Sequence, residues 1–134
     1  MSSRRFIRLA GGLAVLAASW LAAGCGGGAA PAPTDPDAAR RHLTAALDAW
    51  KAGGAQAELS KQTPPVHVLD RDWEKGSKVS DYTLEGEGKP LGAGVQWPVS
   101  LSLVNEKGKS IKKRVVYVVN TGDVIAIARQ DVDF

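Results

Sequence analysis

In the stretch "TDPDAARRHLTAALDAWKAGG", Ala39, Leu43, Ala46, Leu47 and Trp50 fall on one face of a 3.6-residue period. Arg40, Arg41, Thr44, Asp48 and Lys51 take the other side. Asp35 is placed to cap, Pro36 fits the first helical position, and Asp37 lies near the positive end of the helix dipole. Gly53 and Gly54 stop the pattern. The spacing predicts a helix over Pro36–Ala52.

Beyond Pro64–Pro65 the period changes to two. "KVSDYTLEGE" alternates well enough for a first strand. In "GVQWPVSLSLVN", Val95, Trp97, Val99, Leu101 and Leu103 face one way, and Gln96, Pro98, Ser100 and Ser102 the other. Pro98 within that run predicts an edge position or a bulge. "IKKRVVYVV" and "VIAIARQ" read as third and fourth strands, joined by "NTGD", a hairpin turn with Asn120 and Gly122 at positive φ. "AQAELSKQ" and "DRDWEKG" read as short helical turns or plain turns, and "GEGKPLGAG" as a loop without the ending of a phosphate-binding motif. The expectation is an α+β domain over residues 36–134: one long N-terminal helix packed on a four-stranded antiparallel sheet.

The N-terminal region obeys neither period. "MSSRRFIR" is cationic and "LAGGLAVLAASWLAA" is a 15-residue apolar run, short of the about 20 residues a spanning helix needs. The order fits an export signal. The run ends in "LAAGC", which resembles the lipobox of bacterial lipoprotein signal peptides, with small residues Ala22, Ala23 and Gly24 before Cys25. The common box has Leu at the third position before the cysteine, where this chain has Ala22. The resemblance implies that residues 1–24 are removed and that Cys25 is lipidated, anchoring the chain to the membrane. Ordinary signal-peptidase cleavage nearby and an incidental cysteine are the other readings. Cys25 is the one cysteine in the chain, so no intramolecular disulfide explains it. Residues 25–35, with "GGGAAPAPTDP", read as a flexible tether.

Net charge is +3, yet removing Arg4, Arg5 and Arg8 from the 17 basic residues leaves 14, equal to the 14 acidic ones. Bulk charge of the remainder therefore predicts no polyanion partner, nucleic acid included. Five cations crowd "KGKSIKKR", which fits either contact with anionic lipid headgroups or cell-wall polymer, or a hairpin tip kept soluble.

The stretches "HLTAALDAWKAG", "VSDYTLEGEG", "GVQWPVSLSLVNEKGK" and "RVVYVVNTGDVIAIAR" are ordered as in the cystatin or nuclear-transport-factor-2-like roll, and the chain resembles small exported bacterial proteins of that kind. The resemblance implies a curved sheet wrapped on a helix; it names no chemistry. Trp50, Trp73, Tyr82, Trp97 and Tyr117 read either as core or as the lining of a shallow apolar pocket, with His67 beside them as a candidate ligand-pocket residue. His67 with Asp70, Asp72 and Glu74 reads either as a metal or acid–base site or as a turn with capping carboxylates. No catalytic set, cofactor motif or metal-ligand spacing emerges. The expectation is an exported lipoprotein, facing the periplasm or the outside, whose domain binds an envelope protein partner without catalysis. The alternative is a small-ligand-binding or enzymatic roll using the aromatic concavity with His67 or Asp81.

Overall fold

Helix α1 runs from Pro36 to Lys51, and the Asp35 carboxylate starts it by accepting a hydrogen bond from the Ala38 N–H at 3.1 Å. It is the first element of a computed structural model that describes residues 33–130. The expected signal segment 1–24, Cys25 and most of the tether lie outside the described residues. Two single-turn helices follow, α2 (Gln56–Leu59) and α3 (Arg71–Glu74). The strands are β1 (Val66–Leu69), β2 (Lys78–Leu84), β3 (Lys89–Leu91), β4 (Gly94–Val104), β5 (Ser110–Asn120) and β6 (Ile125–Gln130). No helix among the described residues is long and apolar enough to cross a membrane.

The strands overturn the expected architecture of one long helix on four antiparallel strands, and with it the cystatin or nuclear-transport-factor-2-like roll. They form one curled, mixed six-stranded sheet in the order β1-β6-β5-β4-β2, with β3 paired to β4. The sheet dominates, and the 16 residues of α1 are one of three helical pieces laid against it. The two additional strands are β1, which pairs parallel to β6, and the three-residue β3, which pairs antiparallel to β4. Neither announces itself locally. β1 has four residues and gains its partners, Ile125 and Ile127 opposite Val66 and Val68, from the far end of the domain. All three residues of β3 are exposed, so no apolar alternation marks them.

Pro98 occupies neither an edge nor a bulge. β4 lies between β5 and β2, and Pro98 falls in the gap where β2, ending at Leu84 opposite Val99, gives way to β3, beginning at Lys89 opposite Gln96. Its carbonyl accepts from the Glu85 N–H at 2.8 Å, so its missing N–H faces the same gap and costs no ladder bond. The bulge lies instead in β2, between Val79 and Asp81. The β5–β6 connection also departs from expectation: neither Asn120 nor Gly122 has positive φ.

The core sits between α1 and the inner face of the sheet. Ala39, Leu43, Ala46, Leu47 and Trp50 are buried against Val95, Trp97, Val99, Leu101 and Leu103 of β4 and against Val115, Tyr117 and Val119 of β5. The link from β2 to β3 closes over this layer so tightly that a Cβ on Gly88 would collide with the Trp97 ring and with Val95 Cγ1. Only glycine fits there.

Candidate binding site

Asp70 is the residue around which the rest of the candidate site is arranged. It is 2% exposed and caps α3, its Oδ1 accepting from the Asp72 N–H at 2.9 Å and from the Trp73 N–H at 3.3 Å. The Tyr117 hydroxyl donates to its Oδ2, and Arg129 Nη1 donates to Oδ1 at 3.1 Å. The same Arg129 nitrogen bonds Asp72 Oδ2, and Lys113 Nζ donates to Asp72 Oδ2 at 3.0 Å. A one-turn helix too short to hold itself is thus tied to β5 through Lys113 and Tyr117 and to β6 through Arg129.

The electrostatics suit a clamp. Burial would raise the Asp72 carboxyl, but hydrogen bonds from Arg129 and Lys113, together with their charges, outweigh it and hold the group below the ordinary carboxylate range. Burial and the Asp70 carboxylate push the Tyr117 hydroxyl well above its usual value. Burial works against the Arg129 charge, but its carboxylate partners overcome that and raise its pKa. Each of these three groups is held in its ordinary neutral-pH state and not poised near neutrality, as a proton shuttle needs.

The clamp sets Trp73 onto Trp50. The two indoles stack with centroids 5.1 Å apart and planes 2° from parallel, an arrangement worth about 0.5–1.5 kcal/mol beyond burial. Trp50 Nε1 donates to the Ser77 carbonyl at 2.8 Å, and Trp73 Nε1 donates to the Gly54 carbonyl at 3.1 Å. Each ring therefore fastens the loop beside the other. An open cleft of about 410 Å³ runs along them, lined also by Gly53, Gly54, Gln56 and Gly76. The indoles form its back wall and not a platform, since Trp50 is 2% and Trp73 8% exposed.

Of the six residues read from sequence as possible pocket lining, only Trp50 and Trp73 line the cleft together, and Tyr117 is buried with its hydroxyl on Asp70. Trp97 is buried in the core. Tyr82 lies on β2, where burial and a hydrogen bond to Asp48 push its hydroxyl up to about 12. His67 is exposed on β1, on the sheet face opposite the inward-pointing Val66 and Val68, paired in register with Ala126. It does not join Asp70 and Asp72, which cap and pair. Asp81 is exposed and lies 3.8 Å from Lys51. Among the described residues no group of three or more His, Cys, Asp or Glu converges to hold a metal.

Tyr117, Arg129 and Lys113 were not singled out as a network from sequence, although a signal exists. Arg129 shares the parity of Ile125 and Ile127, and Lys113 that of Val115, Tyr117 and Val119. A charge at an inward position of an apolar alternation requires a buried partner. No protein-family model, no curated protein and no solved structure matches this chain.

Proposed function

We propose that the protein is a lipid-anchored component of a bacterial cell envelope, acylated on Cys25, whose sheet domain is a non-catalytic binding module held outside the cytoplasm. The observation behind this reading is the order of cationic segment, 15-residue apolar run and "LAAGC", followed by the glycine-, alanine- and proline-rich stretch 26–33. Contacts of Thr34 complement it. Thr34 donates its N–H to the Ala93 carbonyl at 2.8 Å, and its hydroxyl oxygen accepts from the Thr121 N–H at 3.1 Å. A short linker thus leads from the proposed anchor to a firmly fixed point on the sheet.

The non-catalytic half of this reading draws on the polar network. Asp70, Asp72, Tyr117, Arg129 and Lys113 hydrogen-bond one another, and Asp70 also accepts from two backbone N–H groups. That is the behaviour of a structural clamp. The reading is tested by expressing the full chain and Cys25→Ser in a bacterium that processes lipoproteins, with labelled palmitate supplied. The wild type is expected to take up label and to sediment with membranes. The variant is expected to lack label and accumulate as precursor, and equal labelling of both would refute acylation at Cys25.

A further inference from the structure

The charges of the domain are sorted by end. At the β4–β5 hairpin, the Asn105 side-chain oxygen accepts from the N–H groups of Lys107 and Lys109 at 3.0 and 2.9 Å. The Gly108 N–H closes on the Asn105 carbonyl at 2.9 Å, with Gly108 at a φ of 79°. The tip is therefore fixed, and both lysines project from it exposed. Lys112 is exposed on the outer face just behind them.

The register brings a second segment to the same place. Lys78 pairs with Val104, which pairs in turn with Ser110 beside the tip. Lys75, exposed, ends α3 three residues before. Five lysines from two stretches distant in sequence thus gather at one end of the sheet. Among the described residues none of the five makes an ion pair, whereas Lys113 and Arg114, in the same basic run, are bound to Asp72 and Glu85. Among the described residues the nearby acids are Glu74, which precedes Lys75 and lines the Trp50–Trp73 cleft together with Lys78, Glu106 in the tip, and Asp81, which lies by Lys51.

The opposite end receives the chain at Thr34 and exposes Asp35, Asp37 and Asp123, with Arg40 and Arg41 a turn further along α1. The 11 residues of β4 separate the two ends by about 35 Å. That is several times the Debye length of about 8 Å in physiological salt, so each end acts on its surroundings separately.

We propose that the lysine end is a docking surface for a linear, phosphate-bearing anionic polymer of the envelope, met on the side of the domain turned away from the anchor. All five cations are lysines, which meet phosphate oxygens as compact, strongly hydrated point charges. A bilayer fits less well. The exposed large apolar residues, Leu69, Leu91 and Val124, lie elsewhere, so nothing at this end inserts among acyl chains. The orientation rests on acylation at Cys25, but polymer binding does not.

The test uses the full chain in detergent micelles, wild type and Cys25→Ser alike, titrated with long-chain polyphosphate. The triple variant Lys107→Gln/Lys109→Gln/Lys112→Gln is expected to bind at least about tenfold more weakly in low salt and with a shallower salt dependence. A control with the same charge change at the other end, Arg40→Gln/Arg41→Gln/Lys89→Gln, is expected to stay within about twofold. Equal losses in the two variants, or no polyphosphate binding by the wild type, would overturn the proposal. So would vesicles rich in phosphatidylglycerol binding through the same lysines in place of the polymer. Palmitate label without polymer binding overturns the docking surface alone, and polymer binding without label overturns the anchor alone.

Discussion

Lys112 and Lys113 are neighbours on β5, yet they belong to two different parts of the molecule. Lys113 shares the inward parity of Tyr117 and reaches Asp72, joining the clamp that holds α3 and Trp73 in place. Lys112, one residue earlier, points outward, and no ion pair involves it among the described residues. The same side chain is architecture on one face of the strand and display on the other, and the two-residue period decides which. The clamp and the lysine end differ in pairing more than in composition. Charges that are paired inside maintain shape; charges left unpaired outside are available to a partner.

That contrast can be broken at its strongest point first. Asp70→Ala removes the acceptor of Tyr117, of Arg129 and of two backbone N–H groups at a site closed to water. It is expected to cost about 3–5 kcal/mol in urea unfolding followed by tryptophan fluorescence. A loss below about 1 kcal/mol would show that the clamp is ornamental.

Acid probes the same region more gently. The folded Asp72 carboxyl lies below its unfolded value, so its contribution to stability is complete above about pH 4 and is lost as pH falls through the folded value. Glu85, held down by Ser100 and Arg114, adds to the same slope. Asp72→Asn is expected to flatten, though not abolish, the decline in stability on acidification. An unchanged slope would remove Asp72 from the clamp.

The smallest effects sharpen the comparison itself. Lys113→Gln breaks a partly exposed pair and is expected to cost about 1 kcal/mol or less. Lys112→Gln is expected to stay within about 0.5 kcal/mol of wild type. If Lys112→Gln proved the more destabilising of the two, the outward residue would have a structural partner and the division drawn here would fail.

Parts of this arrangement were legible in the residues. The Asp35 cap, the α1 stripe and the inward set of β4 depend on neighbours a few positions away, which a periodic reading samples directly. The number and direction of the strands were not legible. β1 is short, and it is a strand because Ile125 and Ile127 lie beside it, a pairing decided by the closing of the whole sheet. β3 follows Gly88, whose role is to let the chain pass over Trp97, so a stretch rich in glycine reads as loop. Pro98 pointed to an edge because the gap between β2 and β3 depends on both partners and leaves no trace in β4 itself. The clamp lay half in view: "DRDWE" showed the caps, while Tyr117 and Arg129 reach them only through the register of β5 and β6. Likewise "KGKSIKKR" showed five cations among eight residues, but which of them enter ion pairs is a matter of face.

The lipid-anchored reading is tested most directly by the intact mass of the native chain extracted from membranes. The account predicts a first residue of Cys25 with the added mass of its acyl groups. A chain that begins elsewhere, or a Cys25 with an unmodified thiol, would contradict it.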